Sequence, residues 1–261
     1  MKPLYIIKVG GGALEHDEML HGVLKDFSSL QVPKILTHGG GKTASQMAQR
    51  LGIAPRMIDG RRITDAATLE VVLMVYGGLM NKRLVSQLQA FGVNALGLTG
   101  ADLDVIRANR RPVKEIDYGF VGDVSQVNGQ QLNLLISHGI TPVVAPLTHD
   151  GHGQMLNTNA DTIASAVAQA MAAMYEVHLV ICFEKTGVLR DVNDPGSLLP
   201  ELKRQEMKSL QQQGIIADGM LPKLSNAFEA LQAGVKRVFI CHVDAIGALG
   251  SSDFVGTEIL L

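Results

Sequence analysis

Five places in the chain carry residue types suited to handling anions. Two are glycine runs, Lys8-Val9-Gly10-Gly11-Gly12 and His38-Gly39-Gly40-Gly41-Lys42. Each follows a short aliphatic run that reads as a strand (Leu4 to Val9, and Ile35 to Thr37), and each precedes a helical pattern. Glycines at a strand end let backbone N–H groups approach an anion, and the following helix adds its dipole. One such run is equally well explained as a tight turn needing positive φ, but two after consecutive strands favour anion binding. Neither has the GxGxxG spacing of dinucleotide sites, and Gly39-Gly40-Gly41-Lys42-Thr43 lacks the upstream glycine of a Walker A loop.

The third place is Gln154 to Ala164. Asn159 or Thr158 can cap the helix that follows, which puts Asp161 in its first turn, where the dipole favours a carboxylate and cations can reach it. Alone this would be a well-capped helix. With Asn157 it is also a dense polar knot in an aliphatic chain, at a sheet edge where ligands of open parallel sheets sit. The fourth is Arg62, a carboxylate-clamp candidate, or else a solvated surface residue like its neighbour Arg61. The fifth is Lys223. Pro222 fits a first helical turn, so Lys223 stands at a helix start, where a cation is electrostatically misplaced; a nearby anion would resolve the mismatch.

The elements that must position these residues follow from periodicity. Asp17 to Leu30 is helical, with Leu20, Val23, Leu24, Phe27 and Leu30 on one face. Thr43 to Leu51 is helical and stops at Gly52. A turn at Asp59-Gly60 leads to Thr64, read as the cap of a long helix ending near Gly92. Gly77-Gly78 interrupt that helix at about 1 kcal/mol each relative to Ala, so they mark a kink or a close contact such as a subunit interface. Ala95 to Leu98 is a strand, and Val105 to Val127 reads as hairpins forming a flap outside the main sheet. Gln130 to Ser137 is helical, Ile140 to Ala145 a strand, and His149 to Gly153 a turn. Then come a helix ending near Met174, a strand Val177 to Phe183, a helix Glu201 to Gln213, a helix from Pro222 to Gly234, and strands at Val238 to Cys241 and Glu258 to Leu260.

Composition narrows the function classes. The 261 residues are 46% hydrophobic but only 4% aromatic, without Trp, so the core is aliphatic, as doubly covered parallel sheets require. That length buries on the order of 70–75% of the unfolded surface. Lys and Arg number 23 against 25 Asp and Glu, which argues against nucleic-acid or membrane-surface partners. No run reaches membrane-spanning or signal-peptide length, and a cytoplasmic location is expected. Cys182 and Cys241 read as small buried hydrophobes, and the eight histidines show no metal-ligand spacing.

Taken in order, the motifs resemble the amino acid kinase family and, within it, the N-acetylglutamate kinases. They are Lys8-Val9-Gly10-Gly11-Gly12, His38-Gly39-Gly40-Gly41, Gly60-Arg61-Arg62-Ile63-Thr64-Asp65 and Met80-Asn81-Lys82. Gly119-Phe120-Val121-Gly122, Asn157-Thr158-Asn159-Ala160-Asp161, Gly219-Met220-Leu221-Pro222-Lys223 and Gly256-Thr257 follow. Each is weak alone; eight in the right order over the whole length are specific.

The resemblance implies an α/β fold, an open αβα sandwich with a largely parallel central sheet plus a β-hairpin flap. Residues 1–174 would bind the acyl amino acid and residues 175–261 ATP, as two lobes of one continuous domain. The implied reaction is ATP-dependent phosphorylation of the γ-carboxylate of N-acetyl-L-glutamate, in arginine biosynthesis. Lys8, Lys223 and Asp161 would be catalytic. Gly11, Gly40, Gly41, Arg62, Asn157 and Asn159 would bind substrate. Glu184, Thr186, Gly187, Leu189, Ile215, Ala217 and Gly219 would bind nucleotide. Mg²⁺ would be held by ATP phosphates and water, with no protein metal site.

The chemistry agrees with this residue set, because a carboxylate nucleophile with a pKa near 4.3 is ionised at neutral pH and needs no general base. Three positions depart from the family pattern: Phe183-Glu184-Lys185 stands where Thr/Ser-Asp-Val is usual, Ala101 replaces a common Lys, and Thr148-His149 replaces small residues. These leave N-succinylglutamate and N-acyl-aminoadipate as alternative substrates; a nonenzymatic nucleotide binder of the same fold is a further alternative. Family members inhibited by arginine resemble one another in an extra helix before the first strand. Here the first strand begins near Leu4, so a homodimer through the Thr64–Gly92 helix, unresponsive to arginine, is expected.

Overall fold

The computed structural model describes residues 1–58, 60–216 and 220–261. Along the chain, β1 (Pro3–Val9), α1 (Asp17–Ser29), β2 (Lys34–His38) and α2 (Gly41–Arg50) come first, followed by the short pair β3 (Met57–Ile58) and β4 (Arg61–Arg62). Next are α3 (Ala66–Val72), α4 (Asn81–Ala90), β5 (Ala95–Leu98), β6 (Ile106–Arg110), β7 (Gly122–Val127), α5 (Gly129–Ser137) and β8 (Thr141–Val144). Then come β9 (Leu147–His149), β10 (Met155–Asn157), α6 (Ala160–Met171), β11 (Glu176–Phe183), β12 (Glu201–Lys203), α7 (Arg204–Gln212), α8 (Met220–Gln232), β13 (Arg237–His242) and β14 (Thr257–Leu260).

Eight strands form the central sheet, in the order β12-β14-β13-β11-β1-β2-β8-β5. All its pairs are parallel except β13 with β14. Strand alternation explains why these runs are apolar throughout. Leu4, Ile6, Ile35, Leu179 and Ile181 pack on one face with Leu132, Ile163 and Leu224 of α5, α6 and α8. Ile7, Val9, Leu36, Val180 and Cys182 pack on the other with Leu20, Leu24 and Phe27 of α1 and with Leu84 of α4. Both faces are covered, so period-two polarity disappears and only continuous aliphatic sequence remains. Cys182 and Cys241 are free, buried neighbours in register on β11 and β13.

Four local expectations are corrected. The flap is a four-stranded sheet, β10-β9-β6-β7, rather than hairpins from Val105 to Val127 alone, because Leu147–His149 and Met155–Asn157 also join it. Asp65, not Thr64, caps α3 by accepting from the Thr68 N–H at 2.8 Å. Glu201–Lys203 pairs with β14 before the helix begins at Arg204. The long Thr64–Gly92 helix is split by a π-helical turn, Leu73–Met80, that contains Gly77 and Gly78. A Cβ on Gly77 would come 3.2 Å from Leu147 Cδ1, so its close approach lies within the chain, whereas Gly78 faces open space. The expected turn at Asp59-Gly60 falls partly outside the described residues.

The flap is tied to the helix entry through one backbone crossing. Thr64 N–H donates to Tyr118 O (2.9 Å), Phe120 N–H to Thr64 O (2.7 Å), and Asn157 N–H to Phe120 O (2.9 Å). Gly119 sits at this crossing with φ +71°, and a Cβ there would lie 2.2 Å from Thr64 O. Gly119→Ala is therefore expected to destabilise the fold by at least about 1–3 kcal/mol, from the positive φ alone, with the clash adding to it. Urea unfolding of the variant checks this, and a midpoint equal to wild type would refute it.

Candidate active site

The two glycine turns lie at the carboxyl ends of the adjacent strands β1 and β2. Gly39 N–H donates to Val9 O at 2.9 Å, and a Cβ on Gly39 would come 3.6 Å from Gly10 Cα. Gly40 precedes α2 with φ +145°, and a side chain there would meet Tyr76 Cδ1 at 3.1 Å. Among the described residues its N–H makes no hydrogen bond with the chain. A cavity of about 210 Å³ separates the turns, lined by Gly11, Leu14, Glu15, Gly40, Gly41, Lys42 and Thr43.

Asp161 is held where the sequence places it. Asn159 Oδ1 accepts from the N–H groups of Asp161 (2.8 Å) and Thr162 (3.1 Å) and so caps α6. Lys223 Nζ donates to Asp161 Oδ2 at 2.5 Å, supplying the anion that its position at the start of α8 requires. Lys8 Nζ stands 2.8 Å from Asp161 Oδ1 as an ion pair, off hydrogen-bond geometry. It also lies against the first turn, since a Cβ on Gly10 would come within 2.6 Å of Lys8 Nζ.

Burial by itself would raise the Asp161 carboxyl. The charges of Lys8 and Lys223 outweigh it and hold the group at about 2. Lys223 is shifted down, mainly by burial and then by Lys8. Two ammonium groups around one carboxylate leave a net positive charge facing the glycine turns, in surroundings that screen it less than water does.

Arg62 is buried on β4. Its Nη2 donates to Gly41 O (2.7 Å) and Ser45 Oγ (2.8 Å), while its Nη1 is buried without a partner. Leaving such a donor unpaired costs free energy. A cavity of about 400 Å³ opens beside it, bounded by Gly41, Ser45, Gln49 and Met57 among others. Asn157 Nδ2 donates to Thr64 Oγ1 at 2.9 Å, which sets Asn157 at the flap's junction with the Arg62 strand.

The expected nucleotide residues are placed less simply. Glu184 lies over the first glycine turn: its Oε1 accepts from Gly12 N–H at 3.2 Å, and Lys42 Nζ is 3.7 Å away. Gly187 packs under Thr257, where a Cβ would be 2.6 Å from Oγ1, and Leu189 is buried beside Leu198. Their side-chain positions thus shape the loop. Thr186 Oγ1 is buried and unpartnered. Ile215 N–H donates to Leu210 O at the end of α7. Ala217 and Gly219 lie outside the described residues. Sequence reasoning gave no role to Ser45, one helical turn into α2, or to His38 and Asn81, although both of the latter fall inside quoted motifs.

An open αβα sandwich with a cation-lined, glycine-rich edge defines a phosphate-handling class of α/β protein. The sequence pattern of the amino acid kinase family matches residues 3–242, and the chain belongs to that family. An acetylglutamate kinase of Phocaeicola vulgatus is 58% identical over 93% of this chain and 95% of its own. One from Parabacteroides distasonis is 56% identical over 94% and 96%. Among solved structures, N-acetylglutamate synthase from Neisseria gonorrhoeae, complexed with coenzyme A and N-acetyl-glutamate, superposes with TM-score 0.84 at 24% identity. It covers all of this chain, which spans 59% of that longer one, and the likeness is one of fold.

Proposed function

We propose that this protein transfers the γ-phosphoryl group of ATP to the γ-carboxylate of N-acetyl-L-glutamate, giving an acyl phosphate and ADP, as a step of arginine biosynthesis. The observation that carries the reading is the Lys8–Asp161–Lys223 cluster at the first glycine turn, together with the unpartnered Nη1 of Arg62, which is held at the second. The acetylglutamate kinases similar to it across nearly its whole length support the choice of substrate.

A carboxylate oxygen of the substrate attacks the γ-phosphorus, and the bond to the β–γ bridging oxygen breaks, leaving ADP. No proton need move, since the nucleophile is already ionised. Catalysis then consists of alignment and charge stabilisation. Lys8, braced by Asp161 against the first glycine turn, faces the transferring phosphoryl group, and Lys223 faces the leaving oxygen. The Gly11, Gly40 and Gly41 N–H groups serve the phosphoryl group and the substrate carboxylate, while Arg62 and Asn157 hold the α-carboxylate. Asn159 acts through the α6 cap that sets Asp161.

ATP is expected to arrive with Mg²⁺, which neutralises phosphate charge. Both Asp161 oxygens face lysines and are poorly disposed to take a cation, so phosphates and water would hold it. Residues 1–174 would serve the acyl amino acid and 175–261 the nucleotide. A homodimer is inferred from Met74 and Leu79, exposed apolar residues on the π-helical turn, and sedimentation tests it. Among the described residues no helix is long and apolar enough to cross a membrane, and the location is proposed to be cytoplasmic.

The reading is tested with Mg-ATP and hydroxylamine trapping across N-acetylglutamate, N-succinylglutamate and N-acetyl-aminoadipate. A hydroxamate from N-acetylglutamate at the highest kcat/KM supports it; no hydroxamate from any of the three refutes it. Arg62→Ala is expected to raise KM for the acyl amino acid roughly tenfold to a hundredfold, the loss of one charge-assisted contact, with kcat less affected. An unchanged KM would show that the α-carboxylate binds elsewhere.

A further inference from the structure

His38 and Asn81 are completely or almost completely buried polar residues, 0% and 1% exposed, with no part in the phosphoryl-transfer step described above. They touch each other and the second glycine turn. His38 Nδ1 lies 2.8 Å from Gly39 O, and Nε2 lies 3.2 Å from Asn81 Nδ2. Asn81 Nδ2 also donates to Val143 O at 2.9 Å, and its Oδ1 accepts from Lys82 Nζ at 3.2 Å.

The partners fix the protons. Val143 O only accepts, so the Asn81 nitrogen must face it, and its second hydrogen goes to Nε2. Gly39 O also only accepts, so Nδ1 carries the imidazole proton. Burial holds His38 neutral, its pKa lowered to about 4, which keeps Nε2 free to accept. The fit is tight on the far side as well, since a Cβ on Gly97 would lie 1.9 Å from Asn81 Oδ1.

A trans peptide is planar, with its C=O and N–H pointing in opposite directions. Pinning Gly39 O to the buried imidazole therefore turns the Gly40 N–H away from the core. Gly40 lines the cavity between the two glycine turns, where its N–H is free among the described residues. Gly39 N–H, which belongs to the preceding peptide, is fixed separately on Val9 O, so the residue leading into the plane is held as well. Among the described residues no backbone N–H donates to Gly39 O, which leaves the imidazole as the group that holds it.

We propose that His38, locked by Asn81, is a positioning residue for phosphoryl transfer: through the rigid Gly39–Gly40 peptide it aims the Gly40 N–H at the group being transferred. This rests on the kinase reading given above. It accounts for two motif residues that never touch substrate, and it predicts an effect on kcat rather than on substrate binding.

Two amides separate positioning from packing. Asparagine puts its nitrogen where Nδ1 stands, so His38→Asn keeps a donor for Gly39 O and loses Asn81. Glutamine reaches the Nε2 position, so His38→Gln keeps Asn81 and loses Gly39 O. Both shrink the ring and should lower Tm similarly. Since a whole oxyanion-type donor contributes about 10²–10³ in kcat, mis-aiming one in His38→Gln is expected to cost roughly tenfold to a hundredfold, with either KM within about twofold. His38→Asn is expected to stay within about fivefold of wild-type kcat on the same argument.

If His38→Gln does not fold, Asn81→Ala, which unlocks the ring's far end, should lower kcat by about threefold to tenfold at unchanged KM. Equal losses in His38→Asn and His38→Gln, or a rise in KM in place of a fall in kcat, would overturn the proposal while the kinase reading stands. Wild-type protein that forms no acyl phosphate would remove that reading and this proposal with it.

Discussion

Lys8→Ala is expected to lower kcat by roughly 10²–10³ while leaving KM for the acyl amino acid within a few fold, because its charge acts on the transition state. The size follows from placement. The ammonium is buried, braced 2.8 Å from Asp161 Oδ1, and pressed against the Gly10 turn. A donor fixed in advance costs no reorganisation when charge develops on the phosphoryl oxygens, and burial limits screening by solvent. The fold should survive, since Asp161 keeps Lys223 at 2.5 Å. Lys8→Arg should not rescue the rate: a planar guanidinium is larger than the ammonium and cannot take its place between Asp161 and the Gly10 turn as a compact point charge. Steady-state kinetics with a parallel melting curve checks both points. A Lys8→Ala enzyme with near-wild-type kcat would move the transferring group away from β1.

The route from sequence to site was legible where local rules and tertiary need agree. The Asn159 cap and Asp161 in the first turn of α6 follow from capping alone, and both stand as expected. Lys223 was legible for the opposite reason: a cation opposed by a helix dipole must have a partner, and Asp161 is that partner. The central strands were legible because a sheet covered on both faces leaves long aliphatic runs. The flap was not fully legible. Leu147–His149 and Met155–Asn157 are three-residue strands defined by pairing across the chain, too short for a period to register. Thr64 looked like a cap because its type suits one, but its backbone is taken by Tyr118 and Phe120, and Asp65 caps instead. Ser45 and Asn81 act through hydrogen bonds to residues far along the chain, and no spacing rule marks such bonds in advance. Arg62 was legible as a clamp candidate, but that one of its nitrogens would be left free emerged only from the packing around it.

Asp161→Asn is expected to fail in two ways at once, in rate and in stability. The substitution keeps the shape and removes the charge, leaving two lysines close together around a neutral amide. Breaking a buried ion pair from one side costs about 3–5 kcal/mol, since the remaining charge stays desolvated and unpaired. For a chain of this size each kcal/mol moves Tm by about 2–4 °C, so a fall of roughly 6–20 °C is expected. Adding Lys223→Met should recover part of the Tm, by removing one of the two stranded ammonium groups, but none of the rate. Acid unfolding separates this from a simple packing defect. The folded-state value of Asp161, about 2, lies below the ordinary carboxylate value of 3.8. Its stabilisation is therefore complete above the unfolded value and is lost as pH falls from near 4 towards 2. The amide of the variant cannot titrate, so the stability gap between wild type and variant should narrow across that window, by about 2 kcal/mol for a shift of this size. Denaturant midpoints measured at several pH values from neutral down to the onset of acid unfolding give the slope. A gap that stays constant into that range would mean that the Asp161 carboxylate is not held by its two lysines.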